Sequence, residues 1–212
     1  MAVRFQKIAP TDIEQESFRI IAEEYGPIDF DETTFRIVQR VIHATGDFSF
    51  KDNLRFSSEA IKRGVENIIS GKDILTDVSM VASGISKPLL QKWGGTVICR
   101  IADPDIAAIA QERCQTRSEA AIEASLGENT GIIAIGNAPT ALIKAVNVVS
   151  SMPADKRPLV IGVPVGFVNA AESKQYLFEE NDCYITSLGR KGGSPVAAAI
   201  VNALLRIAEQ SS

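Results

Sequence analysis

The chain has one histidine, His43, and it stands in "FRIVQRVIHATGD" (35–47), where a helical pattern runs out. An imidazole's ordinary pKa of about 6.5 lets it hold a proton and release it near neutral pH, which makes His43 a candidate general acid. Helical i+3 and i+4 steps gather Arg36, Gln39, Arg40 and His43 on one side of this segment, while Phe35, Val38, Val41 and Ile42 form the apolar side. His43 is therefore expected to face away from the core centre. A plainer role competes: a histidine in the last turn of a helix is favoured by the helix dipole, by about 0.3–1 kcal/mol.

Three further segments have the chemistry of anion binding. "GRKGGSP" (189–195) offers two cations and freely oriented backbone amides ahead of a helix, although it lacks the GxxxxGK[ST] order of a phosphate loop and would also serve as a plain strand-to-helix turn. "GNAPTAL" (136–142) has Asn137 as a cap and Pro139 near the first helical turn, leaving amides aimed at whatever lies beyond. "TRSEA" (116–120) puts Arg117 in the first turn of a helix, where the dipole disfavours a cation, so a purely stabilising role is less expected than ligand binding or simple solvation.

The elements that must position these groups change character at about Ile74. Before it, "TDIEQESFRIIAEEYG", "DETTFRIVQRVIHATG" and "SSEAIKRGVENIISG" have helical spacing with stop signals at Gly26-Pro27 and Gly46. After it, five short apolar runs, "ILTDVSMV", "GTVICRI", "GIIAIGN", "LVIGVPVGF" and "CYITSLG", alternate with helices. Most of the runs are too continuously apolar for a sheet with one wet face, which predicts an α/β fold with a buried, doubly wound five-stranded parallel sheet after an N-terminal helical segment. Thr116 with Glu119 and Asn169 with Glu172 have capping-box spacing, and Ser194 precedes a proline suited to a first helical turn. In such a sheet the loops after the strands share one rim, and ligands bind there.

Composition narrows the function. A chain of 212 residues, 45% hydrophobic, suits a single domain over residues 1–212. Lys+Arg number 22 against 26 Asp+Glu, with no basic run, which argues against nucleic-acid binding. No long uncharged apolar stretch or signal-like start is present, so a cytoplasmic protein off the membrane is expected. Cys99, Cys114 and Cys183 are widely spaced beside one histidine, which disfavours structural zinc and a disulfide framework.

From about Ser17 to Leu205 the chain resembles the precorrin-8X methylmutase family, also called cobalt-precorrin-8 methylmutase. The likeness is carried in order by "ESFRII" (16–21), "RVIHATGD" (40–47), "TDVSMVASGI" (76–85), "TRSEAAI" (116–122), "GNAPTAL" (136–142), "PVGFVNAAESK" (164–174) and "GRKGGSPVAAAIVNAL" (189–204). The resemblance implies a flavodoxin-like sheet, a homodimer, and a methyl shift between adjacent ring carbons of a corrinoid tetrapyrrole rich in acetate and propionate groups. It implies His43 as the general acid, Ser17, Arg40 and Arg117 as substrate-binding residues, and Asn137, Gly192, Gly193 and Ser194 as further anion contacts. It implies no cofactor and no protein-bound metal, since the migrating methyl is already on the substrate. Two other classes remain open on the residues: a corrinoid carrier without turnover, and a flavodoxin-like domain binding another ligand.

Overall fold

The computed structural model describes residues 7–211; residues 1–6, on which the reading of a missing signal segment partly rests, lie outside it. Helix α1 (Ile13–Tyr25) packs on α2 (Glu32–Thr45) with opposite direction: Glu14 at the start of α1 pairs with Arg40 late in α2, and Tyr25 at its end meets Phe35. The sequence sets the bounds of α2 at both ends. The Asp31 carboxylate accepts from the N–H groups of Thr33 and Thr34 at 2.9 and 3.1 Å, and Gly46, at φ 63°, donates its N–H to the Ile42 carbonyl at 2.7 Å.

Next come α3 (Phe50–Asn53), β1 (Leu54–Phe56), α4 (Ala60–Ile69), β2 (Asp73–Thr76), α5 (Ser79–Gly84), α6 (Lys87–Gln91) and β3 (Val97–Ile98). The chain continues through α7 (Pro104–Glu112), α8 (Arg117–Ser125), β4 (Thr130–Ile135), α9 (Pro139–Ser150), β5 (Leu159–Gly162), α10 (Ala170–Glu180), β6 (Tyr184–Ser187) and α11 (Ser194–Ser211). The sheet order is β1-β6-β5-β4-β2-β3, with every pairing parallel except that of β1 with β6.

The expectation of five wholly parallel strands is thus corrected to a mixed sheet of six. The additional strand, "LRF", pairs Leu54 with Ser187 and Phe56 with Ile185 at the sheet edge. Three residues are too few to carry an alternation signal, and an antiparallel strand at the edge of a parallel sheet is a common addition. The expected strand "ILTDVSMV" also stops at Thr76, and its last residues belong to α5.

Strand alternation divides the core between two layers of helix. Ile132 and Ala134 of β4, with Leu159 and Ile161 of β5, face the layer that includes α2, α4, α5 and α11. Ile133 and Ile135, with Val160, face α8, α9 and α10. Every residue of β4, β5 and β6 is buried, which accounts for their unbroken apolar runs and leaves the loops after the strands as the place where polar groups reach water.

Candidate active site

His43 occupies the last turn of α2 and is exposed. It borders a hollow of about 260 Å³ whose other walls are Arg40 and Ala44 of α2, Gly84 at the end of α5, and Pro195, Ala198, Ala199 and Asn202 of α11. Small residues on α11 leave this space open. Asn202 fixes one wall, accepting the Ser86 N–H at its Oδ1 and donating from Nδ2 to the Gly84 carbonyl, each at 2.8 Å.

The His43 ring meets Phe18 edge-on at 5.2 Å between centroids, and the Arg40 guanidinium lies 5.0 Å from the centroid of the same Phe18 ring. Phe18 is anchored through its carbonyl, which accepts from Gln39 Nε2 at 2.7 Å. Neither ring nitrogen of His43 has a hydrogen-bond partner among the described residues, so the edge contact with Phe18 constrains the ring while its nitrogens stay open. Ser17 lies next to Phe18 on α1 and donates back to the Ile13 carbonyl at 2.8 Å. Arg40 also pairs with Glu14 at 3.1 Å.

The glycine loop is tied to the end of α2. Lys191 Nζ donates to Asp47 Oδ2 at 2.6 Å and Ser49 Oγ at 2.9 Å, and the Lys191 bond, with those from the Ser49 side chain and N–H, holds the Asp47 carboxyl down to about 2. From beneath, the Lys191 carbonyl accepts from Lys174 Nζ at 2.6 Å and Ser187 Oγ at 3.0 Å. Lys174 is completely buried, and burial lowers its pKa to about 8. Gly192, at φ 158°, runs so close to β5's exit that a Cβ there would stand 2.2 Å from the Val163 carbonyl oxygen. The Gly193 N–H donates to that same carbonyl at 2.8 Å, whereas the N–H groups of Gly192 and Ser194 have no acceptor among the described residues. Ser194 opens α11 and is largely buried.

Asp77, also fully buried, organises "GNAPT". Its Oδ1 accepts the Gly136 N–H at 3.1 Å, and its Oδ2 accepts those of Asn137 and Ala138 at 2.8 Å each. Burial pushes its pKa above the ordinary carboxylate value, and the three amides pull it back. These bonds correct two expectations: the first amides of this turn are already engaged, and Asn137 is not a cap, since the cap position of α9 is Ala138 with no side-chain bond. Asn137 is left with an exposed side chain. Gly136 in turn packs against the glycine loop, because a Cβ there would lie 2.7 Å from Ser194 Cα.

The reciprocal box between Thr116 and Glu119 is present, and Thr116 Oγ1 is 3.0 Å from Thr140 Oγ1, which brings "TRSEA" beside "GNAPT". Arg117 is the exposed first residue of α8. Asn169 does not cap α10 through its side chain; it takes the left-handed conformation at φ 59° instead. The rim is therefore continuous from His43 through the start of α11 and Gly136 to Thr140 and Arg117.

Residue types alone did not single out the exposed apolar side chains of the rim loops. Phe167 and Val168 are 84% and 77% exposed, Met80 and Val165 are exposed as well, and Arg190 covers the Phe167 ring at 5.4 Å. Lys174 and Asp77 were also missed as supports. A lysine in helical register with the apolar Ala170 and Leu177, and an aspartate inside a strand-like run, were the available signals. Among the described residues no three His, Cys, Asp or Glu side chains gather to hold a metal ion, and no helix is long and apolar enough to cross a membrane.

The precorrin-8X methylmutase family model matches residues 12–207. The chain belongs to the precorrin-8X methylmutase family. It is 42% identical to the cobalt-precorrin-8 methylmutase of Priestia megaterium, over 95% of this chain and 90% of the relative. It is 39% identical to the precorrin-8X methylmutase of Pseudomonas aeruginosa, over 91% and 93% of the two chains. The crystal structure of precorrin-8X methyl mutase from Thermus thermophilus superposes with a TM-score of 0.84 at 38% identity, covering 94% of this chain and 98% of that one. A precorrin-8X methylmutase is an isomerase of cobalamin biosynthesis.

Proposed function

We propose that this methylmutase moves a methyl group between adjacent ring carbons of precorrin-8X, giving hydrogenobyrinate, or of its cobalt complex, giving cobyrinate, with His43 as general acid. The observation that carries this reading is the chain's sole histidine, open to solvent over a hollow, with Arg40 beside it and both ring nitrogens unengaged among the described residues. His43 lends a proton to a ring nitrogen of the macrocycle, the conjugated system then accepts the migrating methyl, and the proton is returned. Atoms and electrons balance within the substrate, so the reaction draws on no nucleotide, flavin, methyl donor or protein-bound metal. Cobalt, where present, belongs to the substrate.

Exposed Met80, Val165, Phe167 and Val168 supply surface for the apolar macrocycle. Its carboxylates meet Arg40, Arg117, the Ser17 hydroxyl, the Asn137 side chain and the amides of Gly192 and Ser194 at the start of α11, while Gly193 shapes the turn. One of these roles runs against the conformation described: the Ser17 hydroxyl donates to the Ile13 carbonyl. Ser17 therefore receives a carboxylate only by turning its hydroxyl away from its own helix.

The order β3-β2-β4-β5-β6 of the parallel strands is the flavodoxin-like 2-1-3-4-5 order, which supports the finer fold reading. Core clusters on both faces of one sheet support a single domain. A cytoplasmic homodimer completes the reading, and the mass in solution checks the dimer.

The test is incubation of the chelator-dialysed protein with precorrin-8X and, separately, with its cobalt form, following the spectral change of the rearranged chromophore. Turnover of either without additions is the expected result. Binding without turnover would make the protein a carrier, and activity restored only by a metal or organic cofactor would overturn the cofactor-free mechanism.

A further inference from the structure

Arg40 lines two hollows. Beyond its other side lies a second space, of about 430 Å³, between α1, α2 and the later turns of α11. Its apolar lining comes from Phe18, Ala203 and Ile207. Three guanidinium groups border it, those of Arg36, Arg40 and Arg206, against a single carboxylate, that of Glu14. Glu32 and Glu209 pair with Arg36 and Arg206 from outside this lining, so guanidinium groups predominate in the wall itself while the surroundings balance their charge.

The guanidinium groups retain donors. Arg40 gives one N–H to Glu14 at 3.1 Å and otherwise lies over Phe18. Arg206 gives one to Glu209 at 3.2 Å, and Arg36 is bonded to Glu32 and Gln210. Each guanidinium has five N–H groups, so all three can accept a further carboxylate without abandoning these contacts. Glu14 already samples what a carboxylate would experience here. The Arg40 hydrogen bond lowers its pKa, burial opposes that shift, and the charges of Arg40, Arg206 and His43 lower it further. Its side chain is nevertheless half exposed, on the outer helix α1, and can swing into water.

We propose that this three-arginine hollow is a second carboxylate subsite for the macrocycle, receiving a peripheral acetate or propionate that reaches past Arg40, and that Glu14 occupies it until the substrate arrives. The proposal rests on the reading that a polycarboxylate tetrapyrrole lies over His43. Arg40 joins the two spaces, so one macrocycle can place its reacting edge at His43 and an anionic arm in the neighbouring hollow. The apolar walls reduce water around the arm, which strengthens contacts with guanidinium groups relative to a fully wet surface.

The experiment titrates cobyrinate into the wild-type protein and into Arg36→Gln, Arg206→Gln and Glu14→Gln at low salt, alongside kcat and KM, with melting curves to establish folding. Each arginine variant should bind about tenfold more weakly while kcat changes less than about twofold. Glu14→Gln should bind a few-fold more tightly, because the internal competitor is gone. A corrinoid whose peripheral carboxylates are amides should bind all four proteins alike. Wild-type turnover together with unchanged binding in both arginine variants overturns the subsite. Weaker binding in Glu14→Gln overturns the displacement and makes Glu14 part of the wall. A wild-type protein that neither binds cobyrinate nor turns over would sink the underlying reading, and the subsite with it.

Discussion

Asp77 and Lys174 lie under the rim without solvent exposure, whereas His43, Asn137 and Arg117 reach water on top of it. The buried pair is bound to backbone: Asp77 to three amides of one turn, Lys174 to a carbonyl of the other. His43 and Arg117 have no hydrogen bond or ion pair from their side chains among the described residues. Burying a charge is costly unless it is paired, so the lower set is retained for the loop conformations that it fixes. The upper set is left with its donors unused, as a ligand site requires. Changes to the two sets should therefore have different signatures, folding below and turnover or affinity above.

The largest effect should come from His43→Asn, which keeps much of the side chain's size and polarity but cannot act as a proton donor of suitable acidity. Turnover should fall by at least about 10², with product affinity within a few fold of wild type and a stability change under about 1 kcal/mol. Steady-state kinetics and a melting curve on the same preparation check all three. Near-normal turnover in the folded variant would erase the distinction between the two sets at its most exposed member, leaving His43 a helix-end residue.

Asp77→Ala should do the reverse. It strands the N–H groups of Gly136, Asn137 and Ala138, at least two of them in buried residues, and unsatisfied buried donors cost about 1–3 kcal/mol each. Loss of the desolvated carboxylate offsets part of this, so the net destabilisation should be about 3 kcal/mol, read from denaturant unfolding. Activity should fall in proportion to the folded fraction and to the disorder of "GNAPT". A variant as stable as wild type would mean that the turn keeps its shape without Asp77.

How far the sequence discloses these two sets follows from the range of the signals. The upper set stood out because His43 is unique, Arg117 sits where a helix disfavours a cation, and the glycines precede a helix; all are local facts. The five parallel strands were legible for the same reason, being short apolar runs. The lower set depends on partners far away in sequence, Asp77 with Gly136 and Lys174 with Lys191, and no local pattern announces such pairings. The same limit hid β1, which is a strand only because β6 lies beside it. It also allowed Asn137 to be taken for a cap, when the capping acceptor comes from the end of another strand.

Lys174→Met sharpens the comparison, because it should raise stability while lowering activity. The folded protein releases the Lys174 proton at about 8, below the ordinary 10.5, so holding the ammonium buried at pH 7 costs on the order of 3 kcal/mol. The unfolded chain binds more protons between those two values, and wild-type stability should therefore gain a rising component from about pH 8 to 10.5 that the methionine variant lacks. The Lys191 carbonyl keeps its bond from Ser187, so the variant should be more stable at pH 7 by about 1–2 kcal/mol. Its glycine loop loses an anchor, and kcat should drop several-fold. A variant that gains stability and keeps full activity would show that the buried charge does not position the loop.

The smallest effect is expected at Arg117, and its test turns on salt. Arg117→Ala removes a cation from the positive end of α8, so stability should stay the same or rise by a few tenths of a kcal/mol. Product affinity should fall about three- to tenfold at low ionic strength, because an exposed guanidinium contact with a carboxylate is real but screened. The gap between variant and wild type should close as salt is raised past a Debye length of about 8 Å, while kcat at saturation stays unchanged. Titration of cobyrinate at two salt concentrations separates this from its alternative. Equal affinities at low salt would return Arg117 to the ordinary solvated surface, and would leave the ligand-facing set confined to the α2 and α11 side of the rim.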